Sequence, residues 1–257
     1  MDHFSCMRLK TILLLIFSLS FASSMAQALL IDSAYSCGFF QIHYGLTVPG
    51  GDMAKRYGLN SNVGLSISFK TDKNWVWGGC FDYLFGNKVK ETDILKNIAT
   101  KDGFVIDANG TYADIFLLER GFQASANVGK IIPINKTNLN SGIIITAGAG
   151  YLMHKIRIEN TDNAAPQVKG DYKKGYDRLA GGLSLNQFVG YIYFGPSKVY
   201  NCYAGFEITE GFTRGLRQFN FDTQLPGNET RLDLLYGFRV GWVIPFRKHS
   251  GQVVYYY

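Results

Sequence analysis

Residues 232–246 read LDLLYGFRVGWVIPF, and their spacing decides the fold. Leu232, Leu234, Tyr236, Phe238, Val240, Trp242, Ile244 and Phe246 take alternate positions, with Asp233, Gly237, Arg239 and Gly241 among those between. An α-helix, with its period of 3.6, scatters such a set around its circumference, whereas a strand with period two gathers it on one face. Strands of soluble domains usually run about five or six residues, while a tilted strand crosses a bilayer in about 9–11. The stretch therefore predicts a long strand with one apolar face, of a length suited to lipid.

The same alternation recurs upstream, giving strands at 39–48, 63–70, 75–85, 113–130, 142–158, 183–194 and 201–213 besides 232–246. The sixth is the least regular, because Gln187 falls on the face of Leu185 and Val189, and a β-bulge there would restore the register. Inside the connection 86–112, residues 93–98 predict one or two helical turns capped by Asp93, with Ile94, Leu95 and Ile98 facing one way. The charged segment 155–159 predicts an exit of the fifth strand from the membrane. Connections alternate long and short along the chain. An even number of strands, with short turns at one end and long loops at the other, describes an all-β, eight-stranded antiparallel up-and-down transmembrane β-barrel whose two ends lie in the periplasm.

Composition agrees with that class. Of 257 residues, 47% are hydrophobic, 18% are charged and 29 are glycine, which suits one barrel or one to two soluble domains. Beyond the N-terminus no apolar run reaches the length of a membrane helix, leaving a soluble chain or a closed barrel. Arg8 and Lys10 precede the apolar run 11–22, and Ser24-Met25-Ala26 fits a cleavage site, so residues 1–26 read as a secretory signal peptide. The expected division is signal peptide 1–26, periplasmic segment 27–38, barrel 39–246 and periplasmic tail 247–257. Export excludes nucleic acid as a partner. Of four cysteines, removal of residues 1–26 leaves Cys37, Cys80 and Cys202, an odd number without close spacing that argues against a disulfide framework and a zinc site, and no cofactor motif is present.

Alternation alone does not say which face meets lipid; volume does. An eight-stranded barrel has an interior just wide enough for side chains or one small ligand. Trp75, Trp77, Trp242 and the many Phe and Tyr of the apolar face exceed that space, whereas Gly45, Gly64, Gly78, Gly121 and Gly148 on the other face suit it. The bulky face is expected outward. The lumen is then expected to hold Lys70, Asp82, Glu119, Glu207 and Arg239, with Arg239 bonded to Glu207 or another lumenal carboxylate, because buried charges persist only when paired.

The formal charge is +6, or +5 once Asp2, Arg8 and Lys10 are removed with the signal. The short turns and tail carry Lys70, Lys73, Lys130, Lys136, Lys198, Arg247 and Lys248 against Asp72 alone, a basic rim suited to inner-leaflet headgroups or an acidic periplasmic partner, or ordinary solubilising charge. His43 and His154 share the lumenal parity with Ser66, Ser68 and Asp82, but no motif fixes a nucleophile beside either; hydrogen-bonded lumenal histidines are the expectation.

Two resemblances add to this reading. Arg239, Gly241, Ile244 and Phe246 are similar to the last-strand signal by which the barrel assembly machinery handles outer-membrane barrels. FFQIHYGLTVPGG at 39–51, KNWVWGG at 73–79, KKGYDRLAGG at 173–182 and GFTRGLRQFNFDT at 211–223 with RLDLLYGFRVGWVIPF at 231–246 resemble the small outer-membrane barrels of Bacteroidota, the PorT-like and PorG-like proteins of OmpA-type size. That resemblance implies a non-enzymatic barrel in the cell outer membrane, a structural or assembly component of a periplasmic or surface complex such as the type IX secretion apparatus. Two other functions stay open: a surface adhesin or receptor, and a lipid A-modifying enzyme. Expected partners are outer-membrane lipids, the assembly machinery during insertion, and one periplasmic or surface complex.

Overall fold

The computed structural model describes residues 33–161, 165–195 and 200–246. The expected signal peptide 1–26 and tail 247–257, and with them Lys198, Arg247 and Lys248, lie outside the described residues. A closed antiparallel barrel is formed by β1 (Cys37–Gly51), β2 (Asn60–Lys70), β3 (Trp75–Gly86), β4 (Ile115–Pro133), β5 (Gly142–Asn160), β6 (Ala180–Phe194), β7 (Asn201–Gly215) and, after an intervening hairpin of β8 (Arg217–Asn220) and β9 (Leu225–Gly227), β10 (Thr230–Phe246). Neighbours in sequence pair throughout, and β10 closes the ring on β1 with Gly45 opposite Arg239 and Phe40 opposite Ile244. This is the up-and-down transmembrane barrel that the alternation predicts. Closure leaves the barrel no free edge, so each of its eight strands finds partners on both sides.

The rings point outward. Trp75, Trp77 and Trp242 are 50%, 53% and 49% exposed, and outward Phe, Tyr, Leu and Ile encircle the wall. Water does not tolerate a continuous apolar band of that extent, whereas hydrocarbon requires it. On β4 the band runs uncharged through residues 121–129 between Arg120 and Lys130, about the length a tilted strand needs to cross a bilayer.

Strand β5 shows where lipid ends, because the phase of its pattern inverts. Tyr151 and Met153 face outward, but Lys155, Arg157 and Glu159 continue on that side while Ile156 and Ile158 turn inward and are buried. Above the crossing the barrel is built as a soluble protein would be. Its mouth holds an apolar cluster of Met53, Tyr57, Leu84, Ile94, Leu152, Ile156, Ile158, Val168, Tyr176 and Leu235, assembled from strands and loops together.

Several expectations need correction. Cys37 and Gly38 belong to β1 rather than to a periplasmic segment, and most strands extend beyond the predicted bounds. β6 pairs with β5 and β7 without a register shift, so there is no bulge: Gln187 stays on the outward face and Phe188 turns inward against Tyr203. The helical turn is a 3-10 segment, Thr92–Ile98, whose N-cap is Glu91 without a capping bond; Ile94 and Leu95 enter the mouth cluster. The connection after β7, expected as plain loop, contains the β8–β9 hairpin, and a short helix α1 (Met53–Arg56) follows β1. The lumen is also less uniformly polar than expected. At the turn end Phe39, Val76, Ile131, Ile144, Phe188, Ile192, Phe194, Tyr203 and Val243 form a second apolar cluster, which closes that end as the first closes the mouth.

Candidate functional site

Between the two apolar clusters lies a polar layer. Arg239 reaches from β10 across the lumen, forms an ion pair with Glu207 on β7 and lies 3.4 Å from Asp82 Oδ1 on β3. His43 on β1 donates from Nε2 to the same Asp82 oxygen at 2.6 Å, Cys80 Sγ donates to Asp82 Oδ2 at 3.2 Å, and Asn62 Nδ2 donates to Glu207 Oε1 at 3.0 Å. Two buried carboxylates and one partly buried guanidinium thus share charge-assisted bonds, the arrangement in which the cost of desolvation is offset. Glycines make the room. Gly64 and Gly237 lie where a Cβ would strike His43 and Asp82 in one case and Thr47 in the other.

His43, Cys80 and Asp82 place their ligand atoms within 4.8 Å of one another, the donor set of a small metal site. Arg239 lies there too, with Nη1 4.0 Å from Cys80 Sγ. The guanidinium supplies the positive charge that a bound cation would bring, so these residues fit an ion pair better than a metal.

The other expected lumenal charges are handled differently. Glu119 on β4 is fully buried, yet its partner is an amide: Asn60 Nδ2 donates to Oε1 at 2.8 Å. Lys70 lies at the turn end rather than in the layer, donating to Tyr35 O and Asn140 Oδ1, both at 2.8 Å. Of the last-strand signal, Arg239 points inward, Gly241 lies beneath the Tyr203 ring opposite His43, and Ile244 and Phe246 face outward at the seam. Phe246 packs on Phe40 with ring centres 4.9 Å apart and on Phe69 at 6.3 Å, so one ring joins the first, second and last strands.

A second network, not foreseen from sequence beyond the parity of its members, closes the mouth. Asp233 on β10 accepts from His154 Nε2 at 2.9 Å, from Thr213 Oγ1, and from Arg231 at 3.2 Å. With its Nε2 proton committed to the carboxylate, His154 accepts at Nδ1 from Tyr57 OH, 3.2 Å away. Tyr57 belongs to the strap after β1. That strap is held further by Asp52, which accepts from Lys55 Nζ at 2.8 Å and Leu232 N at 3.0 Å; these bonds, the lysine's foremost, hold its carboxyl below the usual range. Farther out, Arg178 binds Glu91 at 2.9 Å and also Asp222, while Arg217 binds Asp177 at 2.5 Å, which holds the guanidinium pKa above its ordinary value. Four loops are thereby tied into one lid.

The serines and histidines that share the lumenal parity are not brought together. Among the described residues neither histidine has a serine hydroxyl as partner; Ser66 bonds Gln41 at 2.6 Å, and both imidazoles are buried in the lumen, away from the lipid face where an acyl chain would lie.

No protein-family model and no curated protein matches the chain. Among solved structures, Neisserial surface protein A is similar at 9% identity and a TM-score of 0.43, covering 81% of this chain and 97% of that one. The attachment invasion locus protein Ail of Yersinia pestis is similar at 10% identity and 0.42, covering 82% and 99%. The outer membrane protein OprG of Pseudomonas aeruginosa is similar at 12% identity and 0.35, covering 85% and 100%. At these values the likeness concerns the barrel outline and assigns neither function nor site residues.

Proposed function

We propose that the protein is a non-enzymatic integral barrel of the cell outer membrane, closed to solutes, that serves as a structural or assembly component of an envelope complex. The observation that carries this reading is the filled lumen: an apolar cluster at the turn end, an ion-paired layer in the middle, and a lid of loops at the mouth. The interior cavity beside Asp82 and Arg239 measures about 70 Å³, a small space for the interior of a barrel. A channel needs a continuous path, and among the described residues an apolar cluster lies at each end of this lumen. Planar-bilayer recording of the purified protein tests the point; steady conductance at porin level would refute it.

The finer reading, a component of a type IX-like secretion apparatus, draws on the PorT-like sequence resemblance. It is supported by the basic turn end, where Lys73, Lys130 and Lys136 offer a rim to an acidic periplasmic partner. Cross-linked pull-down from native outer membranes should recover such a partner, and replacing these three lysines with Gln should lose it. Normal secretion of cargo in cells lacking the protein would end the secretion reading.

A surface receptor or adhesin is the second reading. It is favoured by exposed apolar side chains on the lid, where Phe104 and Tyr112 stack with centres 4.7 Å apart and Phe219 and Leu225 stand in solvent. Unchanged host-cell or ligand binding after F104S/Y112S would remove it.

A further inference from the structure

The outer wall of β3–β5 carries a feature that the closed lumen does not use. In the ladder, Tyr83, Phe122 and Met153 form one outward row, and the next row toward the loops is Phe85, Arg120 and Lys155. One step farther, Arg157 stands opposite Leu118. Arg120 and Lys155 are therefore like charges placed directly opposite each other on one sheet face, an arrangement that destabilises an isolated sheet. Among the described residues no carboxylate lies within 4.0 Å of either. Arg120 donates Nη1 to the backbone oxygens of Glu119 at 2.6 Å and Gly86 at 3.4 Å, with the Glu119 carboxylate turned to the lumen; of the other acids nearby, Glu159 binds Arg157 at 2.8 Å and Asp177 is held by Arg217. Lys173, from the loop between β5 and β6, completes the rim of a cleft of about 570 Å³ whose floor includes Tyr83, Phe122, Met153 and Leu179.

Position gives the cleft its meaning. It lies where the phase of β5 inverts, so its apolar floor meets the acyl region and its cations stand at headgroup height. A soluble anion would use the cations and leave the floor bare, whereas a phosphorylated lipid would use both. Each Lys or Arg beside an anionic lipid surface contributes about 1 kcal/mol, and Arg presents a fork matched to phosphate.

We propose that this cleft is a binding site for a phosphate-bearing, multiply acylated lipid of the outer leaflet, held by Arg120, Lys155, Arg157 and Lys173 through its phosphates and by the floor through its chains. The proposal rests on the outer-membrane reading, with the long loops on the outer side.

The test is native mass spectrometry of the folded barrel from detergent, titrated with bis-phosphorylated lipid A, with the same lipid after phosphatase treatment, and with inorganic pyrophosphate. Wild-type protein should retain the phosphorylated lipid, and each cation changed to Gln should weaken retention about fivefold. K155Q alone removes the opposed pair and is expected to fold more stably while binding less, a combination that a purely structural lysine would not give. Equal retention by R120Q/K155Q/R157Q/K173Q, or by the dephosphorylated lipid, would overturn the proposal. So would pyrophosphate displacing the lipid at equal concentration, since that would make the ligand a free phosphate. Orientation is read separately by labelling Lys101→Cys in intact cells with an impermeant maleimide: absence of labelling would defeat the outer-membrane orientation, whereas labelling with no lipid retention would defeat only this site.

Discussion

Arg239 pairs with Glu207 and approaches Asp82, so removing it leaves two buried carboxylates without a cation. Breaking a buried pair from one side costs about 3–5 kcal/mol. Arg239→Met should lower the urea midpoint of the detergent-solubilised barrel accordingly, and the triple variant R239M/D82N/E207Q should recover most of the loss. Gly190 and Gly205 face each other across β6 and β7 beneath the inward Phe188 ring, and a Cβ at Gly205 would strike the backbone of Val189 and Gly190 first and then that ring. Gly205→Val should therefore push β6 and β7 apart as well as displace Phe188, and cost at least about 1–3 kcal/mol by overpacking, read as a lower temperature for the mobility shift on SDS gels. Parity placed Arg239 and Glu207 in the lumen from sequence alone. The contact of Arg239 with Asp82, on a strand far from it in sequence, arises only because the ring closes.

At the scale of elements, the strap from α1 to Tyr57 is the part most open to test. Its anchor Asp52 has a depressed pKa in the folded state, so the stability it lends is fully present above the unfolded value of 3.8 and is lost as pH falls through the lower folded value. The protection factor of the Leu232 amide, whose N–H donates to Asp52 Oδ2, should fall below about pH 4 while those of amides in the middle of β10 hold. Tyr57→Phe keeps the ring packing and removes only the bond to His154, a loss of about 1 kcal/mol. Strand positions were legible because period two survives any tertiary detail. The strap, the β8–β9 hairpin and the 3-10 turn were not, since short segments with mixed polarity take their shape from the lid they join. The absent bulge in β6 shows the same limit: a polar residue on the outward face looked like a register fault, but pairing along a full-length strand outweighs one misplaced glutamine.

For the molecule as a whole, the barrel should require detergent or lipid to remain monodisperse, because its outward band of rings is continuous, and it should pass no ions at porin level. By itself the sequence determined strand number, the alternation of long and short connections, and which face is bulky, all consequences of the two-residue period and of the small volume inside eight strands. Only the tertiary structure decided how the lumen is closed. Apolar plugs at both ends, the Asp233–His154–Tyr57 tie and the basic cleft on β3–β5 each join residues from strands far apart in the chain, and the inversion of pattern along β5 takes on meaning once its neighbours show which rows lie in lipid and which stand above it. Local periodicity records the direction a side chain points; ring closure and strand stagger determine what it meets there.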